Sequence, residues 1–131
     1  MQIYGIGTDI VQCERINKLW VEHGMSFAQR ILSDYELAAF ADQKTNHVAF
    51  LAKRFAAKEA VAKALGTGFR DTVFITQVGI ETDSKGKPIV KFYGKTKDYV
   101  AAQDITDIHI SISDESEYVV AFVIILSLDC H

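Results

Sequence analysis

Two carboxylates and one basic block carry the chemistry open to this sequence. The block is Arg54-Phe55-Ala56-Ala57-Lys58-Glu59-Ala60-Val61-Ala62-Lys63, followed closely by Gly66-Thr67-Gly68. On a helix, residues four apart share a face, so Phe55, Glu59 and Lys63 form one row and Arg54, Lys58 and Ala62 the next. Glu59 and Lys63 stand in the favourable order for an ion pair, which alone stabilises by only about 0.3–0.5 kcal/mol. Arg54 and Lys58 are like charges one turn apart, and Lys53 extends the block. A phosphate-bearing ligand would reconcile these cations with the glycines behind them, where bare backbone permits close approach. A solvated charged face is the plain alternative. The pattern is not a P-loop, because the glycines follow the helix instead of preceding it.

Asp9 is the second carboxylate. It follows Gly7 and Thr8 at the end of a short apolar stretch, Ile3 to Gly7, in what reads as a loop. There it is either a helix N-cap or, with Glu59, a ligand for a hard cation. Mg²⁺ takes one or two carboxylates, keeps several waters and accepts phosphate oxygens. His109 lies on the polar side of an alternating segment with Ser111 and Ser113, which fits a structural histidine as well as a functional one.

The elements that must position these residues follow from periodicity and punctuation. Cys13 to His23 reads as a helix with Ile16, Leu19 and Trp20 on one side and Gly24 ending it. Ser26 to Leu32 reads as a shorter helix. Ser33-Asp34-Tyr35-Glu36 has capping-box form, so a helix runs from Asp34 to Ala41. The longest helix spans His47 to Leu65, rich in alanine and stopped by Gly66. Phe74 to Thr82 and Ile89 to Tyr93 form a hairpin around Asp83-Ser84-Lys85-Gly86, and Lys95 to Gln103 a short helix. Asp107 to Ser113 alternates, with Ile108, Ile110 and Ile112 on one face, and Tyr118 to Leu128 returns as a very apolar strand. Helices in the first half and antiparallel hairpins in the second make an α+β arrangement.

Bulk properties narrow the classes. The chain has 131 residues and shows no linker, repeat or low-complexity segment, so residues 1–131 read as one domain. It is 49% hydrophobic and 24% charged, ordinary for a globular protein. A net charge of -3 argues against non-specific nucleic-acid binding. Cys13 and Cys130 have no zinc spacing and read as reduced thiols of a cytoplasmic protein. No signal peptide is visible at Met1-Gln2-Ile3-Tyr4-Gly5. Tyr118 to Leu128 is too short to cross a bilayer, which takes about 20 residues.

Taken together, Ile6-Gly7-Thr8-Asp9-Ile10-Val11, the block from Arg54 to Lys63 with Gly66-Thr67-Gly68, the turn Gly86-Lys87-Pro88 and His109-Ile110-Ser111-Ile112-Ser113 resemble the holo-acyl-carrier-protein synthases. These are the short, bacterial-type 4′-phosphopantetheinyl transferases. The resemblance spans nearly the whole chain. It implies an α+β domain that assembles as a homotrimer with active sites between subunits, which would bury the outward side chains of the final strand. It implies Mg²⁺ held by Asp9 and Glu59 together with the pyrophosphate of coenzyme A. Arg54, Lys58 and Lys63 would hold phosphates. Gly66, Thr67, Gly86, Lys87 and Pro88 would lie near the nucleotide, and His109 would face the phosphates from an adjacent subunit. Arg15, with Lys18, would meet the acidic helix of acyl carrier protein. Where many members have a second histidine after the serine run, this chain has Ser113-Asp114-Glu115, so no role for a second histidine transfers.

The implied reaction is attack by a carrier serine on the β-phosphate of coenzyme A, giving holo-carrier for fatty acid biosynthesis and 3′,5′-ADP. Asp9, Glu59 and Lys63 would be the catalytic group, with Lys63 on the leaving phosphate and Glu59, directly or through a water, taking the serine proton. The rival readings are a nucleotide-binding module, a scaffolding oligomer and a Mg²⁺-dependent phosphohydrolase, which would usually need more carboxylates.

Overall fold

Two glycines set the architecture, and they lie inside a strand. The computed structural model describes residues 1–128, so Cys130 falls outside the described residues. Strand β1 runs Gln2–Gln12 and includes Gly5, Gly7 and Asp9. A β-carbon on Gly7 would stand 1.9 Å from the carbonyl oxygen of Ala60, and one on Gly5 1.8 Å from that of Ala64. The long helix α4, His47–Leu65, therefore lies directly on the strand backbone. The two periods match. Four helical residues advance about 6 Å and two strand residues about 6.8 Å, so glycines two apart meet alanines four apart. This corrects the reading of Asp9 as a loop or N-cap residue, because the glycines before it permit contact and do not end the strand.

Helices α1 (Cys13–His23), α2 (Met25–Ile31) and α3 (Asp34–Ala41) follow β1. The capping box of α3 is complete. Ser33 Oγ accepts from the Glu36 backbone N–H at 3.2 Å, and Glu36 Oε1 accepts from that of Ser33 at 2.8 Å. Trp20, Phe40 and His47 pack ring against ring where α1, α3 and α4 meet. Gly66 ends α4 at φ 81°, its N–H reaching the carbonyls of Ala62 and Lys63.

The expected strand from Phe74 begins instead with a 3₁₀ turn, Ile75–Gln77, because Phe74 N–H bonds Thr96 Oγ1 and Gln77 O accepts from Tyr93 N–H. Strand β2 is Val78–Thr82 and pairs with β3, Pro88–Phe92. Helix α5 (Gly94–Ala101), β4 (Ile105–Asp114) and β5 (Tyr118–Ser127) complete the chain. The three-stranded antiparallel sheet has the order β1-β5-β4, so its first strand comes from the N-terminal end. The α+β class stands, but the split into a helical first half and a stranded second half does not.

Register assigns each sheet residue to a face. Gly5, Gly7, Asp9 and Val11, with Ile125, Val123, Ala121 and Val119, face α4. Ile108, Ile110 and Ile112 extend that face across β4. The opposite face carries Ile6, Thr8 and Ile10, then Ile124, Phe122 and Val120, then His109, Ser111 and Ser113. Among the described residues no helix is long and apolar enough to cross a membrane.

Close backbone contact predicts unequal glycine costs. Gly7→Ala lowers the unfolding free energy in a urea titration by about 2–3 kcal/mol or more, because a carbonyl cannot rotate away. Gly66→Ala meets open space and costs only about 1 kcal/mol, from its positive φ. Equal costs at the two positions would contradict this packing.

Candidate active site

Asp9 projects from β1 towards α4 and meets two side chains that the helix presents one turn apart. Lys63 Nζ donates to Asp9 Oδ1 and to the Thr8 carbonyl, each at 3.0 Å. Glu59 lies beside them, half-buried. Its proton affinity is raised above the ordinary carboxylate value, first by burial and then by the negative charge of Asp9, while Lys63 opposes the rise. Lys63 has thus turned to Asp9 instead of closing the expected i,i+4 pair with Glu59. Its side chain is 53% exposed, so the Asp9 bridge is screened by water and worth under about 1 kcal/mol. A weak cation–carboxylate contact next to a second, strained carboxylate is a site that a stronger cation can take over. Both donors are hard oxygens, and Asp9 and Glu59 supply the one or two carboxylates that Mg²⁺ takes, so the residues fit that ion.

The other half of the basic block behaves differently. Lys58 is completely buried and donates to Glu36 Oε1 at 2.5 Å and to the Ile75 carbonyl at 3.0 Å. Arg54 Nε lies 3.3 Å from Glu36 Oε2, and the guanidinium sits 4.4 Å from the Phe50 ring centroid. Glu36 Oε2 also accepts the Ile80 backbone N–H at 3.1 Å. The anion that reconciles Arg54 with Lys58 is therefore the protein's own Glu36. This corrects the expectation that Lys58 holds a ligand phosphate, since its ammonium is enclosed and already satisfied. Removing the Glu36 charge would strand the buried Lys58 ammonium at a cost of about 3–5 kcal/mol. Burial lowers the proton affinities of Lys58 and Arg54, and Glu36 offsets part of the effect.

Glu36 is the residue that sequence reasoning missed. Its capping-box role was legible, but that role uses only one carboxylate oxygen. The remaining signal lay in α4, where Lys58 sits among Ala56, Ala57, Ala60 and Val61, a setting more apolar than a surface lysine needs.

The remaining candidates are exposed or half-buried, and dispersed. Gly66 closes α4, and Thr67 Oγ1 donates to the Gly68 carbonyl at 2.8 Å. Gly86, Lys87 and Pro88 end the β2–β3 hairpin, whose turn is pinned by Asp83 Oδ1 accepting the N–H groups of Lys85 and Lys87. Arg15 and Lys18 are exposed on α1. Among the described residues Thr67, Gly86, Lys87, Pro88 and His109 make no hydrogen bond or ion pair with Asp9, Glu59 or Lys63. His109 lies across the sheet, on the opposite face and the far strand. One chain therefore assembles Asp9, Glu59 and Lys63, and leaves His109 away from them.

Residues 5–123 match the sequence model of the 4′-phosphopantetheinyl transferase superfamily. The chain belongs to that superfamily. Among similar transferases, the holo-[acyl-carrier-protein] synthase of Nitrosospira multiformis is 47% identical over 123 residues, 94% of this chain and 98% of the relative. That of Halorhodospira halophila is 46% identical over 125 residues, 95% and 98% of the two chains. The crystal structure of the Neisseria meningitidis synthase matches with a TM-score of 0.91 at 44% identity, covering 96% of this chain and all of that one (100%). The Bacillus anthracis synthase, solved in complex with CoA (3′,5′-ADP), matches with a TM-score of 0.81 at 34% identity over 98% of this transferase and 100% of that chain.

The raised proton affinity of Glu59 has a stability signature. Its contribution to stability is fully present below the ordinary glutamate value of 4.5 and is lost as pH rises through the higher folded-state value. Glu59→Gln therefore unfolds like the wild type near pH 4 and becomes the more stable protein towards pH 7, in metal-free denaturant titrations. A variant no more stable at neutral pH would contradict the strain assigned to Glu59.

Proposed function

We propose that this chain transfers the 4′-phosphopantetheine group of coenzyme A to a serine of apo-acyl carrier protein, in the cytoplasm, serving fatty acid biosynthesis. The observation that carries the reading is the convergence of Asp9, Glu59 and Lys63, in a chain whose near-full-length relatives are named holo-[acyl-carrier-protein] synthases. In the reaction the serine oxygen bonds to the β-phosphorus of coenzyme A, the bond from that phosphorus to the bridging oxygen breaks, and 3′,5′-ADP leaves. Glu59 would accept the serine proton directly or through a water. Lys63, with its side chain largely exposed, stabilises charge on the departing phosphate. Asp9 and Glu59 would hold Mg²⁺, which when bound supplies charge neutralisation at the pyrophosphate. Arg54, Gly66, Thr67, Gly86, Lys87 and Pro88 line the path of the coenzyme, and Arg15 and Lys18 offer cations to the acidic carrier.

The assembly part of the proposal rests on the outer sheet face. Ile3, Ile6, Ile10, Tyr118, Val120 and Phe122 are all exposed there, and clustered exposed apolar side chains mark association surfaces. We read it as the contact between three copies, which would also bring His109 of one copy to the phosphates held by another.

Two measurements test the reading. Incubated with apo-acyl carrier protein, coenzyme A and Mg²⁺, the protein adds one phosphopantetheinyl group to the carrier by mass spectrometry, and Lys63→Ala slows this by about 10²-fold or more. Binding of coenzyme A without a mass gain would leave only a binding module. Phe122→Arg shifts the protein from trimer to monomer in light scattering and removes transfer. A wild-type protein that is monomeric at micromolar concentration would sink the assembly.

A further inference from the structure

The mechanism above leaves Glu36 unused, although it is fully buried. Its Oε1 receives the Ser33 N–H and Lys58 Nζ, while Oε2 receives the Ile80 N–H and faces Arg54 Nε. One negative charge thus serves two positive ones. The contact to Arg54 is Coulombic only, because the buried Nε has no hydrogen-bond partner among the described residues. Glu36 holds the inner edge of the guanidinium and Phe50 holds one face. Its terminal nitrogens make no ion pair or hydrogen bond among the described residues. Arg54 lines a cavity of about 410 Å³ with Gln43, Asn46, Lys53 and Asp114, where Lys53 is engaged with Asp114 at 3.4 Å.

We propose that Glu36 is a positioning residue for coenzyme binding: it fixes Arg54 beside an uncompensated positive charge, so that the outer edge of the guanidinium receives a phosphate of the coenzyme. This rests on coenzyme A being the substrate. Two cations on one buried carboxylate leave a net positive charge in a poorly solvated place, which a phosphate arriving from the cavity relieves. A planar guanidinium held along one edge still offers another edge for paired contacts to phosphate oxygens. Burial strains both cations towards deprotonation, in keeping with a site short of negative charge. Lys58 contributes without touching the ligand. It occupies half of Glu36, and so prevents Glu36 from neutralising Arg54.

The test is steady-state kinetics of the full chain with coenzyme A, apo-acyl carrier protein and Mg²⁺, normalised to folded protein. Glu36→Gln keeps an acceptor for one of the two backbone N–H groups that Glu36 serves and removes the charge that anchors Arg54. It is expected to raise KM for coenzyme A about tenfold, the scale of one charge-assisted contact, with KM for the carrier unchanged. Arg54→Ala gives the same rise, and the double variant gives no further rise. Lys58→Met leaves Glu36 free to neutralise Arg54, so it also raises KM for coenzyme A and flattens its dependence on salt. A Glu36→Gln protein that is merely less stable, with an unchanged KM for coenzyme A, overturns the proposal, as do additive effects of Glu36→Gln and Arg54→Ala. Should Glu36→Gln fail to fold, Lys58→Met decides, and an unchanged KM and salt slope there overturns the proposal. Wild-type protein that transfers nothing would instead remove the function reading itself.

Discussion

Two carbonyl oxygens of α4 occupy the places where side chains of β1 would begin, and the rest of the molecule is arranged around that contact. Any residue larger than glycine at positions 5 and 7 would push the helix off the sheet. At contact distance, the next inward position of the strand, Asp9, comes within reach of the Lys63 side chain and of the charge of Glu59. Asp9 has a short side chain, and a helix a few ångströms higher would carry Glu59 away from it. The alanines of α4 serve the same end. They keep the helix surface low where the strand presses on it, and Ala56, Ala57, Ala60 and Ala64 are all buried.

The opposite side of α4 is fixed by charge. Glu36 draws Lys58 and Arg54 of α4, the Ser33 end of α3 and the Ile80 amide of β2 onto one carboxylate. A buried pair of this kind gains little net stability over an apolar core, because desolvation offsets attraction. It does specify which residues meet. α4 is thus held by shape on its sheet side and by hydrogen bonding on the other. Its exposed strip between the two carries Glu59 and Lys63. Tyr93, whose hydroxyl donates to Glu81, is pushed up to about 12 in pKa and stays a neutral donor. That bond ties the start of α5 to the β2–β3 hairpin.

How much of this the sequence disclosed depends on how local each signal was. The bounds of α1, α3 and α4 were readable because periodicity, the Ser33–Glu36 box and the glycines at 24 and 66 act within a few residues. The α+β class was readable too, as was the placement of Glu59 and Lys63 on one helix face, through a spacing fixed by helical geometry. Asp9 was misplaced into a loop because a glycine in a short apolar run signals a strand end and a close contact equally well. Only the partner helix, far along the chain, separates the two. Lys58 was misread for a like reason. A lysine beside an arginine looks solvent-facing until the carboxylate that buries both is known, and that carboxylate lies 22 residues earlier in a different helix. The distance of His109 from the other candidates could be seen only after the register of β1, β5 and β4 was known.

β1 also carries two unrelated surfaces on alternate residues. Gly5, Gly7 and Asp9 face α4, and Ile6 and Ile10 make the apolar outer face. Substitutions at one set leave the other in place. A change of length cannot, because one inserted residue between Gly7 and Ile10 exchanges the two faces and turns the carboxylate into the apolar surface. Within this strand only paired insertions or deletions preserve orientation. The one place where an odd residue is absorbed is the irregularity between Ile3 and Gly5, upstream of both glycines. A lineage of such proteins can therefore lengthen the strand at that end and keep the frame of everything after it.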